Sequence, residues 1–423
     1  MKLMIQRGLF VALVDRVSQA LVARADSPSD TGQYLILEAT ADTLTAFVMR
    51  KDLMAKATIK GSAPGLKIEE PGICAMPGKR IVSTIRDTGA DTDSIAFCFE
   101  PCSADKDSKK DDDEDAGPVL IGRAKLSWRD KDEKQQHHGI NCVDMARISK
   151  IEINEATELT LSAKQLARFM KAVGIATENA SMNKDYTTMR MVVEDGKLQL
   201  ATTNGQQCVM VEAWTGFQNK KDIRYKLPFE LVHSAVQMLA QENDGCMVSL
   251  YEATGERRIV LKQAIIYGTQ SVGENSFSIA LADKFAKIDD LIKKLDFSPF
   301  RCTVRTDRFK DCCANLTLSE VAQSVTKFDV EKKELSFAKR DGVADMEIRL
   351  PIEPSTKEPL DLELSSRHLA VSADVADRDS IELCFSGKHS LAMILLARDY
   401  VDENTRDKVA CELRHYFSPY SPV

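Results

Sequence analysis

Cationic residues cluster between positions 163 and 175. Lys164, Arg168 and Lys171 fall within about 60° of one another on a helical wheel, while Leu166, Phe169, Met170 and Val173 gather on the opposite side. Point charges so placed, with no Asp or Glu among them, suit phosphate contacts, which give affinity without reading bases. His137, His138 and Cys142 have the residue types of a metal site and would serve a metal-dependent hydrolase or transferase. Paired histidines beside Lys134, Gln135 and Gln136 fit an exposed linker better. Cys312-Cys313 lacks a nearby pattern of His and Asn that would activate a thiol. The acidic run Asp105 to Asp115 fails as a calcium loop, because Ala116 stands where the glycine belongs and Gly122 where the last Glu belongs. Its composition makes residues 103–117 a disordered acidic loop. No glycine-rich phosphate loop, GxSxG elbow or HExxH helix occurs. The expectation is a protein with no catalytic residues, no metal and no cofactor, not an enzyme. A repeat-built module that binds peptides is a second alternative to the hydrolase.

The elements that position these residues follow from length and repetition. The 423 residues exceed what one core organises, and three domains are expected. Asp93-Ser94-Ile95-Ala96-Phe97-Cys98-Phe99 returns as Asp379-Ser380-Ile381-Glu382-Leu383-Cys384-Phe385, an alternating pattern typical of a half-buried strand. A middle copy belongs near position 240, where Cys246 to Tyr251 fits loosely. A short helix precedes each: Pro77 to Asp87, Pro228 to Gln241 and Ser365 to Ala376. Earlier helices are expected at 7–24, 163–175 and 306–316, each followed by a strand at Leu44 to Phe47, Leu198 to Ala201 and Leu335 to Ala338. The fold class is therefore α+β, three tandem copies with two helices each on antiparallel strands, over 1–150, 151–285 and 286–423. Linkers are expected at Gln135 to Ala156 and Ala280 to Pro299.

Charge separates by element. The six helices hold twelve Lys and Arg against six Asp and Glu, a surplus of +6 in a chain whose net charge is −7. A basic helical surface and an acidic remainder follow. The eleven scattered cysteines suggest reduced, buried thiols. The N-terminus lacks a signal peptide's apolar run and no stretch reaches membrane-spanning length, so a cytoplasmic protein is expected.

Two segments carry a family resemblance. Val17-Ser18-Gln19-Ala20-Leu21-Val22-Ala23-Arg24 looks like the first helix, and the basic residue after it, of the bacterial DNA polymerase III beta subunits. Leu198 to Gly205, ending Ala201-Thr202-Thr203-Asn204-Gly205, looks like that family's strand ending in Ala-Thr-Asp-Gly. Thr306 to Leu316 and Arg367 to Ala376 fit its third-domain helices. The chain resembles these ring-shaped sliding clamps over nearly its whole length, as a divergent member of the kind a phage would encode.

The resemblance implies a clamp (processivity) fold in three copies and a homodimeric ring around duplex DNA. A clamp loader and a replicative DNA polymerase would be its partners. The residues expected to face DNA are Arg24, which the resemblance implies, and from the basic helices Lys79, Arg80, Arg86, Lys164, Arg168, Lys171, Arg308, Lys310 and Arg367. The implied partner-peptide groove uses Thr203, Gly205, Gln206, Gln207 and Cys208, with Cys411 and Leu413 on the final strand. The family's His-Arg pair is Gln206-Gln207 here, and its apolar ending is replaced by Glu412-Leu413-Arg414-His415-Tyr416-Phe417.

Overall fold

The computed structural model describes residues 1–22, 31–50, 52–89, 93–101, 120–129, 132–144, 159–177, 184–194, 196–214, 223–240, 247–253, 258–267, 269–282, 285, 288, 292, 300–318, 323–329, 331–340, 345–354, 360–375, 379–386, 392–401 and 408–417. Arg24, the acidic run 105–115 and the tail 418–423 lie outside the described residues.

One order of elements occurs three times. In the first third, β1 (Lys2–Gln6) enters α1 (Arg7–Ser18). Five strands follow: β2 (Tyr34–Ala39), β3 (Thr43–Met49), β4 (Leu53–Lys60), β5 (Leu66–Glu70) and β6 (Gly72–Pro77). Then α2 (Gly78–Asp87) leads to β7 (Ser94–Pro101), β8 (Leu120–Arg129) and β9 (Gln135–Val143). The middle third begins with β10 (Leu159–Ser162), α3 (Ala163–Val173), β11 (Thr188–Glu194), β12 (Lys197–Thr203), β13 (Gln207–Trp214) and β14 (Ile223–Pro228). It ends with α4 (Phe229–Ala240), β15 (Met247–Ala253), β16 (Arg258–Tyr267) and β17 (Gln270–Ala280). The last third begins with β18 (Phe300–Arg305), α5 (Thr306–Leu318), β19 (Gln323–Asp329), β20 (Glu334–Arg340), β21 (Asp345–Pro351), β22 (Glu353–Pro354) and β23 (Leu360–Ser365). It closes with α6 (Ser366–Val375), β24 (Ser380–Phe385), β25 (Ala392–Val401) and β26 (Lys408–Phe417).

The helices form where apolar residues recur at helical spacing. On α1, Leu9, Phe10, Leu13, Val14 and Val17 are buried on one stripe, and Phe10 meets Phe97 of β7 edge to face at 6.5 Å. Strands alternate instead: β8 buries Gly122, Ala124 and Leu126 while Arg123 and Lys125 stay exposed.

Compactness divides the chain into two units. The first, Met1–Ala163 with Ala235–Ala280, holds a 13-stranded sheet in the order β10-β15-β16-β17-β4-β3-β2-β6-β9-β8-β7-β1-β5. The second, Lys164–Ser234 with Leu281–Val423, holds a 9-stranded sheet, β14-β11-β12-β13-β26-β25-β24-β18-β22, and a 4-stranded sheet, β21-β20-β19-β23. Every described strand pairing is antiparallel.

Several expectations need correction. The first helix stops at Ser18, well short of 24, where the backbone turns through bonds from Ala20 N to Val17 O and Leu21 N to Ser18 O, both 3.1 Å. The segment from Gln135 expected as linker is β9 as far as Val143, paired along β8 from Arg129↔Gln135 to Leu120↔Val143. Its Ile140, Cys142 and Val143 are buried, which a solvated linker could not offset. Likewise Ala280 closes β17, and within 281–299 Ile292 N bonds Ile288 O at 3.0 Å, one helical turn.

Candidate nucleic-acid interface and partner groove

The amphipathic reading of α3 holds side chain by side chain. Leu166, Phe169, Met170 and Val173 are buried, and Lys164, Arg168 and Lys171 are exposed. On α2, Ile81, Val82 and Ile85 are buried while Lys79, Arg80 and Arg86 are exposed. On α5, Phe309, Cys312, Cys313 and Leu316 are buried, with Arg308 and Lys310 exposed. Arg24 and the Arg367 side chain lie outside the described residues. Each described helix cation proposed for phosphate contact therefore faces water across its helix from an apolar stripe.

Several charges of the helix surplus, Arg86 among them, are locally engaged. Arg7 donates through Nε to Thr88 O at 2.8 Å and through Nη2 to Arg86 O at 3.0 Å, closing the C-terminal carbonyls of α2. Arg16 donates to Ala12 O at 3.0 Å in its own helix. Arg86 pairs with Asp15 of α1 at 2.8 Å, so its charge is shared with a neighbouring carboxylate. On α5, Arg305 grips Asp307 at 2.6 Å and, with the Arg308 backbone N–H, holds that carboxyl below the usual carboxylate range. Arg305 belongs to β18, so a count restricted to helices charges Asp307 against α5 without its partner. The remaining helix, α4, stacks His233 on Phe229 at 5.1 Å.

The proposed groove residues converge on the β12–β13 turn. Thr203 Oγ1 donates to Gln207 O at 2.7 Å and accepts from Gly205 N at 3.1 Å. Asn204 Oδ1 accepts from Gln206 N at 3.1 Å and Gln207 N at 3.0 Å. Gly205 sits at φ +88°, where a side chain is strained, and an added Cβ would come within 2.6 Å of the Tyr186 hydroxyl. Gln206 is exposed; Gln207 and Cys208 are buried.

Gln207 anchors a buried network that residue spacing did not disclose. Its Nε2 donates to Ile175 O at 3.1 Å, which turns Oε1 toward His415 Nε2, 2.9 Å away. The ring therefore donates from Nε2, and Nδ1 lies 2.5 Å from the Ser372 hydroxyl, whose single proton it shares with His368 O at 2.9 Å. Burial pushes the His415 imidazole down to about 3, with the charge of His368 a smaller cause in the same direction. Histidine and serine in contact suggest nucleophilic chemistry, yet both are fully buried, so no substrate reaches them. The signal that could have found His415 is its alternation with Leu413 on the core-facing side of a strand.

Beside this network Ala201, Cys208, Met210, Cys384 and Tyr416 form a buried cluster covered by the partly buried Phe285, Ile288 and Ile292. Arg190 lies 5.5 Å from the centre of the Phe285 ring. Strand register separates the remaining groove residues from the turn. Cys208 is opposite Tyr416, whereas Leu413 is opposite Val211 and Cys411 opposite Ala213. Ala213 is five residues along the strand from Cys208, about 17 Å away. The final-strand residues at the turn are His415 to Phe417; Leu413 is buried farther along, and the Cys411 side chain lies outside the described residues.

The metal alternative fails on strand geometry. His137 and His138 are consecutive in β9 and point to opposite faces, His137 exposed and bonded to Ser127 Oγ at 2.8 Å, His138 half-buried on the side of buried Cys142. Among the described residues no three His, Cys, Asp or Glu gather as metal ligands. The Cys312 thiol is pushed up to about 12 by burial, which opposes a thiolate nucleophile.

No protein-family model and no curated protein sequence matches the chain. Solved structures do. The chain is similar to the DNA polymerase III subunit beta from Pseudomonas aeruginosa, at 13% identity and TM-score 0.74 over 100% of both chains. It is similar to the DNA polymerase sliding clamp from Bacillus subtilis, at 14% identity and TM-score 0.74, again over 100% of both. To the DNA polymerase III beta chain from Streptococcus pneumoniae the values are 12% and 0.75, over 100% of both. The element order, the antiparallel sheets and this end-to-end likeness together give the chain the fold of the DNA polymerase III beta subunits.

Proposed function

We propose that this protein is a DNA sliding clamp: a non-enzymatic, homodimeric ring that encloses duplex DNA without sequence preference and tethers the replicative polymerase. In this reading each chain supplies three domains, over about 1–150, 151–285 and 286–423, and a clamp loader opens and places the ring. The observation that carries it is the likeness in fold to sliding clamps across 100% of both chains.

The exposed cations of α2, α3 and α5 support it. A sliding surface needs phosphate contacts that are individually weak and blind to sequence, because affinity comes from topology. Lys164, Arg168 and Lys171 provide such contacts, joined by Lys79, Arg80, Arg86, Arg308 and Lys310, with Arg24 added by resemblance and Arg367 by the helix charge. The β12–β13 turn and the cluster at Cys208 form the partner groove, with Phe285, Ile288 and Ile292 as its apolar cover. Among the described residues no helix is long and apolar enough to cross a membrane. A cytoplasmic site of action, on bacterial or phage DNA, belongs to the proposal.

Topological retention tests it. Copies dissociated and reassociated in the presence of nicked circular DNA should co-elute with the circle and be lost once a single cut makes it linear. Equal retention on circle and line would sink the reading.

A further inference from the structure

Two of the exposed arginines beside the basic helices already hold an anion. Arg86 of α2 reaches Asp15 of α1, with Nε 2.8 Å from Oδ1, and the two side chains are 54% and 39% exposed. At the start of α5, Arg305 holds Asp307 through two bonds, Nε to Oδ1 at 3.1 Å and Nη2 to Oδ2 at 2.6 Å, with the side chains 73% and 54% exposed. The Arg308 N–H adds a third donor to the same carboxylate, reaching Oδ1 at 2.8 Å. Arg305 closes β18, outside every helix, so a reading of helix charge passes over it.

Ion pairs this open to water add little to stability. The helices themselves are packed by buried apolar residues, Leu13 and Val17 on α1, Ile81 and Ile85 on α2, Phe309 and Leu316 on α5. For phosphate affinity each aspartate is a disadvantage, because a closed pair has no net charge and displaces no counterion from DNA. Its benefit lies in release. Carboxylate and phosphate oxygens bind the same donor fork of a guanidinium. An arginine that lets go of a phosphate must otherwise turn its N–H groups to water, whereas one with an aspartate in reach passes from one anion to another. The exchange asks only for rotation of exposed side chains, on the order of nanoseconds or less.

Resting on the clamp reading, and deepening its contact with DNA, we propose that Asp15 and Asp307 are internal stand-ins for phosphate. Each competes with the duplex for its arginine and so keeps the hold on DNA weak enough for sliding. Arg305 joins the residues that face DNA on this account. Two other acids on the same helices serve as contrast: Asp87, next to Arg86, and Asp311 on α5 are exposed and, among the described residues, hold no ion pair.

Binding of the full chain to a short fluorescein-labelled duplex, followed by anisotropy between about 50 and 200 mM salt, tests the exchange. Asp15→Asn keeps the side chain's shape and removes its charge. It should tighten binding about two- to fivefold, the worth of an exposed ion pair, and steepen the slope of log affinity against log salt by about 0.9 as Arg86 becomes one more free cation. Asp307→Asn should do the same through Arg305, and adding Arg305→Gln should cancel the gain. Asp87→Asn and Asp311→Asn remove equal charge without freeing a cation, and should leave the slope where it is.

An unchanged slope in both Asp15→Asn and Asp307→Asn would overturn the proposal. So would an equal gain in the Asp87 and Asp311 variants, which would reduce the effect to overall charge. The clamp reading fails separately. A wild-type chain retained on nicked circles and lost on linearisation, with the Asp15 and Asp307 variants indifferent in affinity and slope, would leave the clamp standing and sink the exchange. A wild-type chain never retained on circles would sink both.

Discussion

The β12–β13 turn was singled out by family resemblance and the α3 face by residue spacing, and the folded chain treats them oppositely. At the turn, Thr203, Asn204, Gly205 and Gln207 are consumed by structure: their polar atoms close the loop or reach His415 and Ile175. On α3, Lys164, Arg168 and Lys171 lie outside the buried stripe that holds the helix in place. A residue whose type is required by folding says little about function by being there, whereas exposed cations outside the buried stripe are not what packs their helix. The turn should therefore respond to mutation in stability and the helix in binding.

The largest effect belongs to His415. His415→Leu keeps bulk but strands Gln207 Oε1 in the interior, while the Ser372 hydroxyl keeps His368 O at 2.9 Å, and a loss of about 2 to 3 kcal/mol should be read from the denaturant midpoint. A change under about 0.5 kcal/mol would mean the network contributes nothing. The same residue sets a pH dependence. The folded imidazole stays neutral down to about 3, whereas the unfolded one takes up its proton near 6.5. Between those values the unfolded chain binds more protons, so stability falls as pH drops, by up to about 1.4 kcal/mol per pH unit. Unfolding midpoints at pH 7.5 and 5 should diverge less in His415→Leu than in the wild type.

A smaller loss is expected at Gly205. Gly205→Ala forces a side chain onto φ +88° and toward the Tyr186 hydroxyl, and about 1 to 2 kcal/mol should be lost. Removing the Tyr186 hydroxyl as well, with Tyr186→Phe, should recover only part of the contact, since Cζ stays 2.9 Å from the added Cβ, and leave the backbone strain. Full recovery would place the whole cost in the contact.

These two residues also mark how far sequence reasoning reaches. Gly205 was reached through the resemblance to a strand ending in Ala-Thr-Asp-Gly, and the local chemistry agrees, because Asn-Gly between two strands suits a tight turn. The helices were legible for the same local reason, and their expected ranges differ from those found mainly at the ends. His415 was not, because its partners Gln207 and Ser372 lie 208 and 43 residues away and only the β13–β26 pairing brings them together. Arg7 was misjudged for that reason too: the carbonyls it serves are 79 and 81 residues on. β9 was missed because Gln135 to His138 carries no apolar alternation, and the strand is held by β8 rather than by its own pattern.

The smallest effect on stability is expected where binding should change most. Lys164, Arg168 and Lys171 changed together to Ala should leave the unfolding midpoint within about 0.5 kcal/mol of the wild type, since alanine suits a helix and the buried stripe is untouched. If the three side chains each neutralise one phosphate, the slope of log affinity against log salt for duplex DNA should shallow by about 2.7. A single lost contact would shallow it by about 0.9, which allows the number of cations engaged to be counted from singles, doubles and the triple. An unchanged slope with an unchanged midpoint would make α3 an ordinary solvated helix and erase its contrast with the turn. A lowered midpoint would erase it from the other side, by showing that the cations hold the fold.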